Sequence, residues 1–343
     1  MKCPVLNELI APPDGRVGWP WTEGSNSSDW LCKRTEWPRV SIVMPSFNQK
    51  DFIEESIRSV LLQGYPDLEF FVYDAASTDG AADIVKKYGP WLTYWVSEKD
   101  RGQSEAINKG LKKSTGKYFN WQNSDDVLTP GGLFKAVNAL LEHTEASHVH
   151  GYRHVVYADG GIHSCSEKVF GPPTRFAPAV SDSISILKTG AQPGGLMDRD
   201  LVVRVGGIDE SMHFAMDMDI LVKLSVIKPP LYVHEELVHY RFHSDAKTHS
   251  VWSRDRRYEK LRMVENLFKM PESQRYSSFR REAMSTAHRY AADCSWMSGD
   301  IAGFVYHLMM DIAWTPLKGW DRRRALVYYL KERRKGLKMG AQG

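Results

Sequence analysis

The stretch Val40-Ser41-Ile42-Val43-Met44-Pro45-Ser46-Phe47-Asn48-Gln49 decides the architecture. Val40–Met44 reads as a buried strand that opens onto a polar turn at Pro45–Asn48. Behind the turn, Phe52 to Gln63 reads as a helix, because Ile53, Ile57, Val60 and Leu61 fall on one face. The alternation then repeats. Leu68–Tyr73 is a second strand, and Ala81–Tyr88 a short helix closed by Gly89 and Pro90. Leu92–Val96 is a third strand, and Gly102–Lys113 a helix with Ala106, Ile107, Gly110 and Leu111 inward. Tyr118–Trp121 is a fourth strand, and Gly131–Glu142 a further helix. Strands separated by single helices imply crossover connections and a mainly parallel α/β sheet.

In such a sheet the strand carboxyl ends share one rim, where ligands bind. Three polar loops should emerge there: Pro45–Asn48, Asp74-Ala75-Ala76-Ser77-Thr78-Asp79-Gly80, and Asn123-Ser124-Asp125-Asp126. Together they make a nucleotide-sized cleft. Asp74 is placed to accept from a base N–H. Adjacent carboxylates at Asp125 and Asp126 can hold a divalent cation beside a phosphorylated substrate. The same residue types also build ordinary turns, and Asp79 suits helix capping. Arg101 and Gln103 stand at a helix start, where N–H groups favour anions; a solvated charged loop is the other reading. No Gly-x-Gly-x-x-Gly and no Gly-x-x-x-x-Gly-Lys-Ser/Thr follows the first strand.

Outside this core the texture changes. Residues 152–250 carry short strand-like runs (Val155–Ala158, Leu231–His234, Leu237–Phe242) and a helix near Asp217–Leu224, a mixed sheet continuing the first half. Residues 254–333 read as helical, through Tyr258–Met270, Arg280–Ala292, Gly299–Ile312 and Arg323–Arg334. Residues 1–37 are irregular, but Trp19, Trp21, Trp30 and Trp37 make them an arm that packs on the core. Three segments follow: the arm 1–37, a domain 38–250 in halves 38–142 and 143–250, and a helical extension 251–343.

Bulk properties narrow the setting. A chain of 343 residues with 42% apolar content fits one large globular domain plus an appendage. No stretch approaches the ~20 apolar residues of a membrane span. The start MKCPVLNELIAPPDG shows no signal-peptide pattern. Cys3, Cys32, Cys165 and Cys294 match no zinc or disulfide spacing, so a reducing cytoplasm is expected. The net charge of +3 is uneven: residues 318–338 hold nine Lys or Arg against Asp321 and Glu332. That segment, with Trp314, Leu317 and Trp320 near it, suits either packing on the core or peripheral contact with the inner face of an anionic membrane. It lacks any nucleic-acid-binding module.

Several motifs in order resemble family 2 glycosyltransferases with the GT-A fold, of the bacterial soluble type. They are VSIVMPSFNQ (Val40–Gln49), IRSVLLQGYP (Ile57–Pro66), DAASTDG (Asp74–Gly80), YWVSEKDRGQSEAINKG (Tyr94–Gly110), WQNSDD (Trp121–Asp126), GGIDESMHFAMDMDILVKL (Gly206–Leu224) and YRFHSDAKT (Tyr240–Thr248). The likeness covers about residues 38–250, and residues 8–23 resemble an arm on some bacterial members. It implies a Rossmann-like sheet, a donor-binding half and an acceptor half. It also implies an inverting transfer of sugar from a nucleoside-diphosphate-sugar, a UDP-sugar by expectation, to a hydroxyl acceptor. That acceptor would be a polysaccharide or other glycan, a lipid-linked sugar or a small natural product.

By this resemblance Pro45, Phe47, Asn48 and Asp74 surround base and ribose, with Arg101 and Gln103 nearby. The family's Asp-x-Asp metal triplet falls on Asn123-Ser124-Asp125, followed by Asp126. Asn123 and Ser124 then line the donor site, while Asp125, Asp126 and His243 face a Mn²⁺ or Mg²⁺ ion. The catalytic base maps to Asp217, and Gln192 lies in the segment that lines the acceptor cleft. The chain departs from the family at Asn123, in place of an acid, and at Ala75 and Ala76, where glycines are usual. Two alternatives stand beside this: an inactive nucleotide- or glycan-binding protein, and a nucleotidyltransferase, which would want a Gly- and Arg-rich phosphate loop where PSFNQ stands.

Overall fold

The computed structural model describes residues 3–157, 162–165, 192–243 and 254–315. The chain divides into two compact units, Met1–Val251 and Trp252–Gly343. The first is built from α1 (Ser28–Leu31), β1 (Val40–Ser46), α2 (Lys50–Leu61), β2 (Leu68–Asp74), α3 (Ala81–Tyr88), β3 (Tyr94–Ser97), α4 (Gln103–Lys113) and β4 (Tyr118–Trp121). It continues with β5 (Val127–Leu128), α5 (Gly132–Glu142), β6 (His148–Tyr157), β7 (Ile162–Cys165), β8 (Leu196–Asp198), α6 (Arg199–Arg204), α7 (Met216–Ser225) and β9 (Pro230–Phe242).

All these strands join one sheet in the order β3-β2-β1-β4-β8-β6-β9-β5, with β7 on β6. β1 to β4 run parallel, in register from Val40↔Leu68 to Ser46↔Asp74, and Asp74↔Ser97 follows at the next strand. β8 is antiparallel to both β4 and β6, and β6 is parallel to β9. Two reversals restore direction, so β9 ends on the same rim as β1, β2 and β4. This is what brings a residue near position 240 to a loop near position 125.

Every residue of β1 and β2 is buried, as strands covered on both faces require. Val40, Ile42 and Met44 pack with Ile53, Ile57 and Leu61 of α2, Val85 of α3 and Phe134 of α5. On the opposite face α4 lies close against β1. A methyl group added at Gly110 would stand 2.3 Å from a Val43 methyl, so only glycine permits that approach.

β9 differs from the two runs read in the sequence. Leu231–His234 and Leu237–Phe242 belong to one strand, bent by register shifts opposite His150–Arg153. β3 begins at Tyr94 rather than Leu92, because a 3-10 turn at Gly89–Trp91 carries the chain up to it.

The N-terminal arm is held by Arg58 of α2, which is fully buried. Its guanidinium donates to the carbonyls of Ile10 (2.8 Å), Pro20 (3.0 Å) and Trp21 (2.9 Å), and to the Tyr88 hydroxyl (3.2 Å). Trp19 Nε1 donates to the Leu128 carbonyl, and Trp30 and Trp37 flank Phe134.

The second unit contains α8 (Arg254–Leu267), α9 (Arg280–Met297) and α10 (Ile301–Trp314). Buried polar pairs tie these helices: Arg257 with Asp300 at 2.6 Å, and His288 with His307 at 3.0 Å. The basic stretch 318–338 lies outside the described residues. No helix among the described residues is long and apolar enough to cross a membrane.

Candidate active site

At the rim, β1 ends in Pro45 and Ser46, both buried, then Phe47, which is 60% exposed. Asn48 takes a left-handed conformation, φ 52°. Its N–H donates to Ser77 Oγ (2.8 Å), and its side-chain oxygen accepts from Thr78 N (2.9 Å). The loops after β1 and β2 are thus stitched together. Asp74 is buried and accepts from Ser77 N (3.0 Å), Ser77 Oγ (2.5 Å) and Ser97 Oγ (2.5 Å). As it stands, Asp74 shapes the loop. Asp79 accepts from Lys50 N and Ala81 N at the starts of two helices, a structural task.

Ala76 also sits in the left-handed region, φ 56°, where an L side chain costs about 1–2 kcal/mol. Ala76→Gly is expected to stabilise the fold by about 1 kcal/mol. A rise in the urea midpoint would show it; an unchanged or lower midpoint would count against strain at this position.

The loop after β4 carries the acids. Asp126 is fully buried. Its Oδ1 accepts from the backbone N–H of Arg241 (3.0 Å) and its Oδ2 from Asn123 Nδ2 (2.9 Å). Burial and the neighbouring charge of Asp125 push its carboxyl up to about 8. Asn123 Oδ1 in turn accepts from Gln103 Nε2 (3.1 Å). An acid at 123 would set a second carboxylate against Asp126, whereas the amide donates to it. Ser124 is buried beneath the loop.

Asp125 is half-buried, and its Oδ2 lies 3.0 Å from His243 Nε2. Two ligands about 2.1 Å from an ion and at right angles to one another stand about 3 Å apart, so this pair has the spacing of neighbours on one cation. The buried Nδ1 of His243 has no hydrogen-bond partner in the structure. Asp125, Asp126 and His243 therefore suit a divalent ion.

Three further residues complete the cluster. Arg241 is buried, donates to the Asp125 carbonyl (2.9 Å) and pairs with Glu55 (3.0 Å). Phe52 packs on His243 at 4.5 Å between ring centres. Arg241 lies one residue before the end of β9 and two before His243, whereas Phe52 and Glu55 come from α2.

Asp217 opens α7, half-buried, with Oδ1 accepting from Met218 N (2.8 Å). Asp219 is buried against Lys223 Nζ (2.6 Å). The start of α7 is fastened to α4, since Ser104 Oγ contacts Met216 Sδ (2.8 Å) and donates to the Met212 carbonyl (3.3 Å). Gln103, one residue earlier, holds Asn123, so α4 links the Asp217 region to the acidic loop. Arg101 sits in a cluster of charges at the start of α4. It is 77% exposed at the side chain and pairs with Glu105 (3.1 Å) and Glu210 (2.8 Å). Gln192 is buried and donates to Asn120 Oδ1 (3.0 Å) and the Trp121 carbonyl.

Known proteins resemble the chain in sequence and in fold. The sequence model of the family described as Glycosyl transferase family 2 matches residues 41–183. An uncharacterised glycosyltransferase of Rickettsia prowazekii is 28% identical over 229 residues, covering 65% of this chain and 70% of the relative. The putative teichuronic acid biosynthesis glycosyltransferase TuaG of Bacillus subtilis is 34% identical over 122 residues, 34% of this chain and 48% of TuaG. Among solved structures, S. aureus TarS 1-349 in complex with UDP-GlcNAc superposes with TM-score 0.62 at 16% identity, covering 81% of this chain and 82% of that one. The mannosyltransferase PcManGT from Pyrobaculum calidifontis, in complex with GDP-Man and Mn²⁺, gives TM-score 0.53 at 20% identity, covering 88% and 90%. Sequence motifs, sheet order and these likenesses converge: residues 41–183 carry the family 2 glycosyltransferase domain, and the first unit has the GT-A fold.

Proposed function

We propose that this glycosyltransferase moves a sugar from a nucleoside-diphosphate-sugar, a UDP-sugar by class, to a hydroxyl of a surface glycan or its lipid-linked precursor, inverting the anomeric centre. The observation that carries the reading is the convergence of Asp125 and His243 at 3.0 Å, 118 residues apart in sequence, beside the buried Asp126. Support for the donor class comes from fold neighbours solved with UDP-GlcNAc, with UDP, and with GDP-Man and Mn²⁺. Support for a glycan acceptor comes from the name of TuaG.

In this reading Phe47, Asn48 and the Asp74–Gly80 loop receive base and ribose, and Pro45 fixes the end of β1. Gln103, Asn123 and Ser124 set the floor under the diphosphate. Asp125, Asp126 and His243 would hold Mn²⁺ or Mg²⁺, which supplies positive charge to offset the departing diphosphate. Arg241 locks the Asp125 carbonyl and Glu55, so the acids do not reorganise as charge develops. Arg101 orders the α4 entrance through Glu105 and Glu210, and it would have to leave these partners to reach a bound donor. Asp217 accepts the acceptor hydroxyl's proton as its oxygen attacks the anomeric carbon. The carbon–oxygen bond to the diphosphate breaks in the same displacement, and inversion follows.

The test is release of nucleoside diphosphate from a panel of UDP-, GDP- and other sugar donors with Mn²⁺, followed by NMR of the product's anomeric configuration. Release from one donor class with inversion is expected. Release from none by folded protein, or retained configuration, would overturn the reading.

A further inference from the structure

On the strands next to the acidic loop, where His239 pairs with Val127, His154 of β6 and Glu236 and His239 of β9 bring their side chains together. His239 Nε2 lies 3.0 Å from Glu236 Oε1, and His154 Nδ1 contacts the same oxygen. The three ligand atoms all fall within 4.8 Å of one another. Two imidazoles aimed at one carboxylate are the donor set of an open, three-ligand transition-metal site. In a tetrahedral arrangement with bonds of about 2.1 Å, ligand atoms stand about 3.4 Å apart, within the range seen here.

The backbone is built to make this meeting possible. Residues three apart on a regular strand point to opposite faces, so Glu236 and His239 should not meet. The register shows why they do. Tyr152 pairs with Glu236, Arg153 with Val238 and His154 with His239, so one extra residue of β9 is accommodated between Glu236 and Val238. That irregularity turns Glu236 onto the face of His239, and His154 stands directly across from His239. Such shifts are uncommon between parallel strands, and they re-aim side chains. Gly151 is fitted to the same bend, since a methyl group there would lie 2.1 Å from the Glu235 carbonyl oxygen.

The surroundings favour a cation. Each of the three side chains is about a quarter to a third exposed, which gives an ion a route in and leaves room for a water in the fourth position. Lys135, the nearby cation on α5, is occupied by Glu235 at 3.1 Å.

We propose that His154, Glu236 and His239 bind a divalent transition-metal ion, Zn²⁺ by donor type, at a site separate from Asp125, Asp126 and His243. Imidazole nitrogens select Zn²⁺ over Mg²⁺, whereas an oxygen-rich pair of carboxylates suits Mg²⁺ or Mn²⁺. The ion would clip β6 to β9 just before β9 delivers Arg241 and His243 to the acidic loop. The proposal does not depend on the transferase reading.

Untagged full-length protein is dialysed against Zn²⁺ in excess Mg²⁺, and bound zinc is counted by mass spectrometry. The wild type is expected to retain one Zn²⁺, and H154N, E236Q and H239A each to weaken it by at least about 100-fold. Circular dichroism of each variant checks folding, and E236Q, the nearly isosteric change, keeps the test decisive if a histidine variant misfolds. X-ray absorption of the zinc-loaded wild type should show two imidazoles and oxygen. No retention by the wild type, equal retention by wild type and E236Q, or sulfur ligation would each overturn the proposal and reduce the triad to a hydrogen-bonded cluster.

Discussion

Asp217→Asn is expected to lower kcat for sugar transfer by about 10³-fold while leaving donor affinity unchanged. The amide keeps the shape of the carboxylate and can still accept from Met218 N, so the start of α7 has no reason to move. What disappears is the ability to take the acceptor's proton. A base lost from the transition state alone reduces kcat and kcat/KM together. Asp219 is the informative contrast. It is buried against Lys223, so its carboxylate is already committed to an ion pair inside the unit. Steady-state kinetics and donor titration on the same preparation separate the outcomes. A kcat within about tenfold of wild type would remove Asp217 from the proton transfer.

Arg58→Ala is expected to cost about 4 kcal/mol of stability and to free the N-terminal arm. The guanidinium is fully buried and answers three backbone carbonyls of the arm, at Ile10, Pro20 and Trp21. Each buried acceptor left without a donor costs about 1–3 kcal/mol. Lysine does not substitute, because a point charge cannot reach three carbonyls in a planar fork. Urea unfolding gives the energy, and limited trypsin digestion gives the location, with new cuts at Arg16, Lys33 or Arg34. A stable variant with an uncut arm would show that Trp19, Trp30 and Trp37 suffice to hold it.

Most strands and helices from Val40 to Glu142 were legible: β1, β2 and β4 are short runs buried on both faces and each helix carries one apolar stripe, whereas β3 is a partly exposed edge and the two-residue β5 was not read. β9 was less legible. His234, Glu235 and Glu236 interrupt its apolar pattern with polar residues, which reads as a loop, yet the backbone continues through them by shifting register. β8 is only Leu196–Asp198 and offers no pattern to read. Its insertion between β4 and β6 decides that β9 ends at the rim shared by β1, β2 and β4. The meeting of Asp125 and His243 therefore could not be had from spacing alone.

Asn123 shows the same limit. From the sequence it is a missing acid; in the structure it is a donor to Asp126 and an acceptor from Gln103. Ala76 reads as a mild restriction on the backbone, and it proves to occupy the left-handed region where glycine is favoured. Arg101 reads as a donor contact and is found paired with Glu105 and Glu210. Glu105 is an i,i+4 neighbour that local sequence offers, but Glu210, 109 residues away, is a partner that only the fold brings near.

The most direct test of the central claim is the binding of a nucleoside-diphosphate-sugar to wild type and Asp125→Ala, each with Mn²⁺ and with chelator. Saturable, Mn²⁺-dependent binding by the wild type is predicted, weakened at least about 100-fold in the variant and to the same degree by chelation. Equal binding by wild type and Asp125→Ala in Mn²⁺, or undiminished wild-type binding in chelator, would contradict a metal-held donor site built on Asp125, Asp126 and His243.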